Sequence, residues 1–326
     1  MRVAVVDIGT NSTRLLIAEV EPAGGVLGEL LRRSQVTRLG AGVDSAGRLS
    51  EAASERVFRT LAAYRREIDN YGCEANLAVL TSAVREASNG DSFAERVRAD
   101  YGLDAHVLSG EEEAQLTFLG ALSGRGEGER DGARTPTVVI DVGGGSTEFI
   151  VGIGHAAGFH VSLPVGVVRM SERHIHSDPP ASTELQSLAL DTRAVFEEGL
   201  PAAERAPVRH GIAVGGTATS AAAIDQALEP YDPARVDGYP LLLATIELLL
   251  ARMAEMTEDE RRAVVGLNPD RAPTIVAGMV VLSEALRAFE LDQVEVSEHD
   301  ILHGGALRLA AAAGLAPGSP PTSASG

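Results

Sequence analysis

The sequence predicts an α/β protein made of two similar halves. Three observations carry that expectation. Strand-like and helix-like runs alternate along the chain, an order that argues for layers of sheet and helix. At 326 residues the chain is long enough for two domains with substantial cores. One motif also occurs twice. It runs Val3-Ala4-Val5-Val6-Asp7-Ile8-Gly9-Thr10-Asn11-Ser12-Thr13 in one copy and Val138-Val139-Ile140-Asp141-Val142-Gly143-Gly144-Gly145-Ser146-Thr147-Glu148 in the other. Each copy reads apolar strand, Asp, a turn of Gly and hydroxyl residues, then a second apolar strand.

In chain order, apolar runs predict strands over 3–6 and 15–20, the arms of the first hairpin. A helix-periodic segment follows over 51–70, then a strand over 77–81 and helices over 91–101 and 111–122. The polar, Gly-rich stretch from Ser123 to Pro136 is the expected linker between domains spanning 1–124 and 135–300. The second half opens on strands over 138–142, 148–153 and 161–163, followed by a helix over 182–199. A strand over 212–214 runs into an Ala-rich helix over 217–228. Helices over 241–255 and 273–289, a strand over 294–297 and a helix over 300–313 complete the pattern. The Gly/Pro/Ser/Ala tail over 314–326 is expected to be disordered.

The net charge of −18 comes from 28 basic and 46 acidic residues, and all 28 basic residues are arginine. A chain without lysine has neither a Walker-type phosphate-loop lysine nor a Schiff-base lysine. The acidic balance argues against a nucleic-acid surface. A polyanionic ligand would need a few placed arginines and a metal, and the arginine fork suits phosphate oxygens. Cys73 is the single cysteine, so no intramolecular disulfide forms, which fits a cytoplasmic setting. The first apolar run is short and carries Asp7, and Leu241 to Leu250 is half a span with Glu247 inside it, so neither a signal peptide nor a membrane helix is expected.

In both repeats the Gly-rich turn leads into a strand, so neither is a dinucleotide fingerprint. Glycines allow close backbone approach to an anion, hydroxyls add donors, and Asp7 and Asp141 supply carboxylates for a metal or a water. The bland alternative is a plain tight hairpin; the repetition makes a two-sided phosphate clamp the better reading. Val214-Gly215-Gly216-Thr217 leads a strand into a helix and offers an anion site, with a simple cap as the alternative. Ser109 and Glu112 fit a capping box, which accounts for Glu112 structurally. Glu113 has Leu116, Thr117 and Gly120 on its face, so it can point inward and orient a water. Ser82 and Arg85 follow a strand and could hold phosphate, or Arg85 could be an exposed loop cation. Arg14 and Arg169 are weaker candidates for the same task. His299 and His303 resemble a metal pair on a helix, but no third ligand is evident, and a plain helix start is favoured. His174 and His176 read as structural.

The chain resembles the exopolyphosphatase / guanosine pentaphosphate phosphohydrolase (Ppx/GppA) family. The resemblance rests on Asp7-Ile8-Gly9-Thr10-Asn11-Ser12, Thr81-Ser82-Ala83-Val84-Arg85, Ser109-Gly110-Glu111-Glu112-Glu113-Ala114, Asp141 through Glu148, Val214-Gly215-Gly216-Thr217 and Ser297 through Gly304. It implies two ribonuclease-H-like domains of the actin, heat-shock chaperone and sugar-kinase superfamily around an interdomain cleft. The helix near 301–313 would return to the first domain. It implies Mg²⁺-dependent release of a terminal phosphate from polyphosphate, or from guanosine pentaphosphate. Glu113 matches the water-activating glutamate. Asp141 and Glu148 match metal-linked carboxylates, with Asp7 beside them. Asn11, Ser12, Arg85, Gly144, Gly145, Ser146, Gly215, Gly216 and Thr217 match phosphate contacts. Larger members add a helical HD-type domain that extends the substrate channel and assists dimerisation. The sequence given ends before one, so processive trimming of long polymers does not carry over, and a homodimer is left open. The sugar kinases of the superfamily, and a non-enzymatic binder of polyphosphate or (p)ppGpp, are the alternatives from other classes. The Glu113 segment argues against the first and the intact carboxylate set against the second.

Overall fold

The computed structural model describes residues 1–21, 26–123, 135–153 and 156–315. The expected linker core over 124–134 and most of the expected tail lie outside the described residues. The first half runs β1 (Arg2–Ile8), β2 (Ser12–Val20), β3 (Val26–Val36), α1 (Val43–Ala46), α2 (Glu51–Asn70), β4 (Ala75–Leu80), α3 (Ser82–Glu86), α4 (Gly90–Tyr101), β5 (Ala105–Val107) and α5 (Gly110–Ser123). The second runs β6 (Thr137–Val142), β7 (Thr147–Ile153), β8 (Ala156–Leu163), α6 (Val167–His174), α7 (Ser182–Gly199), α8 (Ala202–Arg205), β9 (His210–Val214), α9 (Gly215–Asp225), α10 (Pro233–Val236), β10 (Pro240–Leu242), α11 (Leu243–Ala254), α12 (Glu258–Arg262), α13 (Ile275–Ala288) and β11 (Gln293–Val296). The chain then enters α14 (Ile301–Leu315).

Two sheets result, and they share a topology. The first has the order β3-β2-β1-β4-β5, with β1–β2 and β2–β3 antiparallel and β1–β4 and β4–β5 parallel. The second contains β8-β7-β6-β9-β11 with the same senses, and β10 adds antiparallel to the outer edge of β11. This is the ribonuclease-H-like arrangement twice over. β1 and β6 are central, and nearly every residue of each is buried, so they read as unbroken apolar runs. Each sheet has its own core. Phe58, Leu61 and Phe93 lie in the first, and Phe149, Phe196 and Phe289 in the second.

Several elements were not legible as apolar runs. β3 carries Glu29, Arg32, Arg33, Ser34 and Gln35, because it is a sheet edge with one face in water. α3, α8, α10 and α12 are four or five residues long, too short for a helical period to show. Leu241 and Leu242, expected at the start of a helix, join Pro240 in β10 instead.

After β11 the chain returns to the first sheet. Leu302, Ala306 and Ala310 of α14 pack on Val3, Val5, Leu16, Ala18 and Val20. α14 also lies against α5 with backbone nearly touching backbone: a Cβ at Gly304 would sit 1.9 Å from Leu116 O, and one at Gly120 would sit 1.8 Å from Asp300 O. Gly304→Ala is therefore expected to destabilise the fold by roughly 1–3 kcal/mol through overpacking, read as a lower midpoint in chemical denaturation.

Candidate active site

The two repeated turns face each other where the sheets meet. Within each, the same backbone bond closes the turn: Gly9 N–H to Ser12 O at 3.0 Å, and Gly143 N–H to Ser146 O at 2.9 Å. Their carbonyls are tied outward. Thr37 and Arg38 donate to Asn11 O and Gly40 to Thr10 O in the first; Val167 and Val168 donate to Gly143 O and Gly144 O in the second. The backbone N–H groups of Asn11, Gly144 and Gly145 have no acceptor among the described residues. These are the donors a phosphate oxygen would take. Contact between the turns is close: a Cβ on Gly144 would lie 2.8 Å from Asn11 N, and one on Gly145 3.1 Å from Thr10 Oγ1. Thr10 Oγ1 and Ser82 Oγ are hydrogen-bonded at 2.9 Å.

Register makes the repeats unequal. In the first hairpin Asp7 pairs across the ladder with Arg14; in the second, Asp141 pairs with Glu148. Arg14 donates to Asp7 Oδ2 at 2.7 and 2.9 Å and also engages Asp300, so the first Asp is charge-paired. Asp141 and Glu148 are opposed carboxylates without a cation between them, an arrangement that costs free energy. Burial, then the charge of Glu148, pushes Asp141 up to about 8. Burial likewise raises Glu148, against donation from Ser146 and Ser162; Ser162 Oγ donates to Glu148 Oε1 at 2.7 Å. Asp7 Oδ1 is buried with no hydrogen-bond partner among the described residues. An orphaned carboxylate oxygen beside two opposed carboxylates fits a hard divalent cation, which takes oxygen ligands.

Glu113 reaches the same cleft from the first turn of α5. The capping box forms as expected: Ser109 N–H donates to Glu112 Oε2 at 2.9 Å, and Glu112 N–H to Ser109 Oγ at 3.1 Å. That fixes the helix start and turns Glu113 inward, 8% exposed. Its Oε2 accepts from Arg85 Nη1 at 2.9 Å, and the same nitrogen donates to Leu108 O at 2.8 Å. Arg85 favours the charged carboxylate, but burial and the nearby Glu148 outweigh it, and the Glu113 carboxyl is held well above its usual range. Such a group can accept a proton from water near neutrality. Arg85 is thus neither an exposed loop cation nor a free phosphate ligand in this state.

The third turn also arrives. Gly215 opens α9 with φ +81°, and a side chain there would meet Asp141 Oδ1 at 2.6 Å. Gly216 gives space to Arg271, whose Nη1 would lie 1.6 Å from an added Cβ. Asp7, Asn11, Ser12, Glu113, Asp141, Gly144, Ser146, Glu148, Gly215, Gly216 and Thr217 all line one cleft; Gly145 adjoins it through Ser82, and Arg85 through Glu113. Sequence reasoning missed Arg271 and Asp300. Arg271 lines the cleft, and although its backbone bonds Asn268 and Thr274, its guanidinium has no hydrogen-bond or ion-pair partner among the described residues. Nothing in the local sequence Asn268-Pro269-Asp270-Arg271 marks it. Asp300 is held down at about 2, because Arg14 and Arg32 outweigh its burial. Arg169 does not reach a phosphate position. Its Nε donates to Gly145 O at 2.8 Å, and its other nitrogens engage Asp44 and Glu86. His174 bonds Ser187 and Asp191, a structural role.

Two ribonuclease-H-like sheets meeting at paired Asp–Gly–hydroxyl turns, with an inward glutamate, define a phosphoanhydride hydrolase. The chain belongs to the Ppx/GppA phosphatase family, whose profile matches residues 16–311. It is 38% identical over 324 residues to Exopolyphosphatase 2 of Mycobacterium tuberculosis, covering 95% of this chain and 98% of that protein. The crystal structure of an Aquifex aeolicus Ppx/GppA family member superposes with a TM-score of 0.78 at 31% identity, covering 95% of this chain and 97% of the other. An exopolyphosphatase from Cytophaga hutchinsonii gives a TM-score of 0.83 at 26% identity, with 95% and 98% covered. Among the described residues no helix is long and apolar enough to cross a membrane.

Proposed function

We propose that the chain releases the terminal phosphate of inorganic polyphosphate by attack of water on the phosphoanhydride. The observation that carries this is the convergence of three carboxyls, Glu113, Asp141 and Glu148, on the one cleft lined by the paired turns. Phosphoryl transfer needs placement, charge neutralisation and an in-line nucleophile. The N–H groups of Asn11, Gly144 and Gly145, with Ser12, Ser146 and Thr217, hold the terminal phosphoryl group. Arg271 is free to neutralise it, and Arg85 can move from Glu113 to assist. Glu113 takes the proton of the attacking water at Oε1 or Oε2. Asp141, Glu148 and Asp7 would hold a divalent cation, taken as Mg²⁺, which supplies charge neutralisation for the phosphate oxygens. A kinase would have to keep water out, whereas Glu113 is placed to activate it. In domain terms we read 1–124 with 301–313 as one unit and 135–300 as the other, closing on the substrate.

A second reading has one specific observation behind it. A groove of about 780 Å³ adjoins the cleft and shares Arg14, Gly215, Gly216 and Arg271 with it. Its wall includes Leu228, Tyr231, Val264 and Leu267, and its volume falls in the range of small-molecule sites. A nucleoside could lie there with its phosphates in the cleft, which favours guanosine pentaphosphate as an alternative substrate. Phosphate release from short polyphosphate, long polyphosphate, guanosine pentaphosphate and ATP, with and without Mg²⁺, separates the readings. Release from polyphosphate alone supports the first, and a higher kcat/KM for the pentaphosphate supports the second. No release from any of them would remove the hydrolase assignment. A homodimer in light scattering would add a partner to either.

A further inference from the structure

We propose a second metal site, outside the cleft, in which Glu29, His299 and His303 bind one Zn²⁺-class cation. One donor atom from each residue lies within 4.8 Å of the other two. None of the three lines the catalytic cleft. The third ligand was invisible in the sequence because Glu29 lies on the edge strand β3, 274 residues from His303. Two imidazoles and one carboxylate are a borderline-soft donor set with a position left open, which suits Zn²⁺ better than Mg²⁺.

The local geometry is that of a site held ready. The two imidazole rings stack with centroids 4.1 Å apart and 16° between planes. His303 is fully buried, and its Nε2 meets Glu29 Oε1 at 2.7 Å. His299 Nδ1 faces Ser123 Oγ at 3.3 Å. A metal would replace the proton shared by His303 and Glu29, the usual proton–metal exchange. Donor atoms around a tetrahedral ion with bonds of ~2.0 Å lie about 3.3 Å apart, so the pair must open by about half an ångström. Glu29 is exposed and can withdraw that far. With the cation on Nε2 the single proton of the neutral ring moves from Nε2 to Nδ1, and the contact given up is the long one that Nδ1 accepts from Asp300 N–H, at 3.4 Å.

Occupancy would clamp β3 to the entrance of α14. α14 touches α5 at Gly120 and Gly304, and α5 carries Glu113. Asp300, between the two histidines, engages Arg14 and through it Asp7. The cation therefore stiffens the support of both the glutamate and the first turn.

Titration of the chelated protein with Zn²⁺ against a chromogenic chelator tests this, using His299→Ala, Glu29→Gln and the cleft variant Glu148→Gln. The expected result is one tight equivalent in wild type and in Glu148→Gln. Affinity should fall at least tenfold in His299→Ala and Glu29→Gln. Zn²⁺ should also raise the thermal midpoint of wild type but not of His299→Ala. Undiminished affinity in His299→Ala, loss confined to Glu148→Gln, or no tight binding at all would each overturn the proposal.

Discussion

Replacing Glu113 with Gln is expected to lower kcat for phosphate release by about 10²–10⁴-fold, the usual contribution of a positioned general base. Substrate affinity should change little, because the cradle formed by Asn11, Gly144 and Ser146 is untouched. The amide can still accept from Arg85, so α5 should keep its place and circular dichroism should match wild type. The pH dependence gives a sharper check. Burial and Glu148 raise the Glu113 carboxyl well above 4.5, so the charged, base-competent form is lost as pH falls through that raised value. Activity should therefore rise with pH along an acid limb lying well above the ordinary carboxylate range. That limb should vanish in the residual activity of Glu113→Gln. A variant retaining near wild-type kcat, or the same acid limb, would take the base role away from Glu113.

Much of this site could be read from the sequence, for a physical reason. Central strands buried on both faces must be apolar, and turns that approach an anion must be glycine-rich. β1, β6 and the turns after them therefore announce themselves. The Ser109–Glu112 capping box likewise fixes the phase of α5, which is why the inward direction of Glu113 could be anticipated. What stayed hidden depends on contacts between distant segments. Arg271 matters because Gly216 makes room for its guanidinium, and Asp300 because α14 folds back beside Arg14. Arg85 was placed on a strand end, yet the short helix α3 aims it at Glu113 instead of at solvent. Arg169 had the right charge in a suggestive place, but Asp44, Glu86 and Gly145 O take up its donors. The partner of His303 lay on an edge strand whose polar residues gave no strand signal at all.

Glu148→Gln is expected to separate stability from function in opposite directions. Asp141 and Glu148 face each other across β6 and β7, and the charge of each disfavours the other. Like charges in register are destabilising, and burial strengthens the effect. The introduced amide would keep an acceptor for Ser162 Oγ and remove the charge that, with burial, forces a proton onto Asp141 near neutrality. The metal-free variant should therefore unfold at a higher temperature than the metal-free wild type at neutral pH. Turnover should fall nonetheless, by about 10²–10⁴-fold, because a bound cation contributes several kcal/mol of transition-state charge neutralisation. Chelation of wild type should lower its activity to a similar level, and Mg²⁺ should restore wild type but not the variant. Differential scanning fluorimetry with and without Mg²⁺ reads the first half of this, and phosphate release the second. A variant destabilised in the absence of metal would mean that Glu148 serves the fold. A variant as active as wild type would mean that the opposed carboxylates are not the metal site. A more stable and less active protein is the combination expected when the strain between two carboxylates is held in the fold for a cation to relieve.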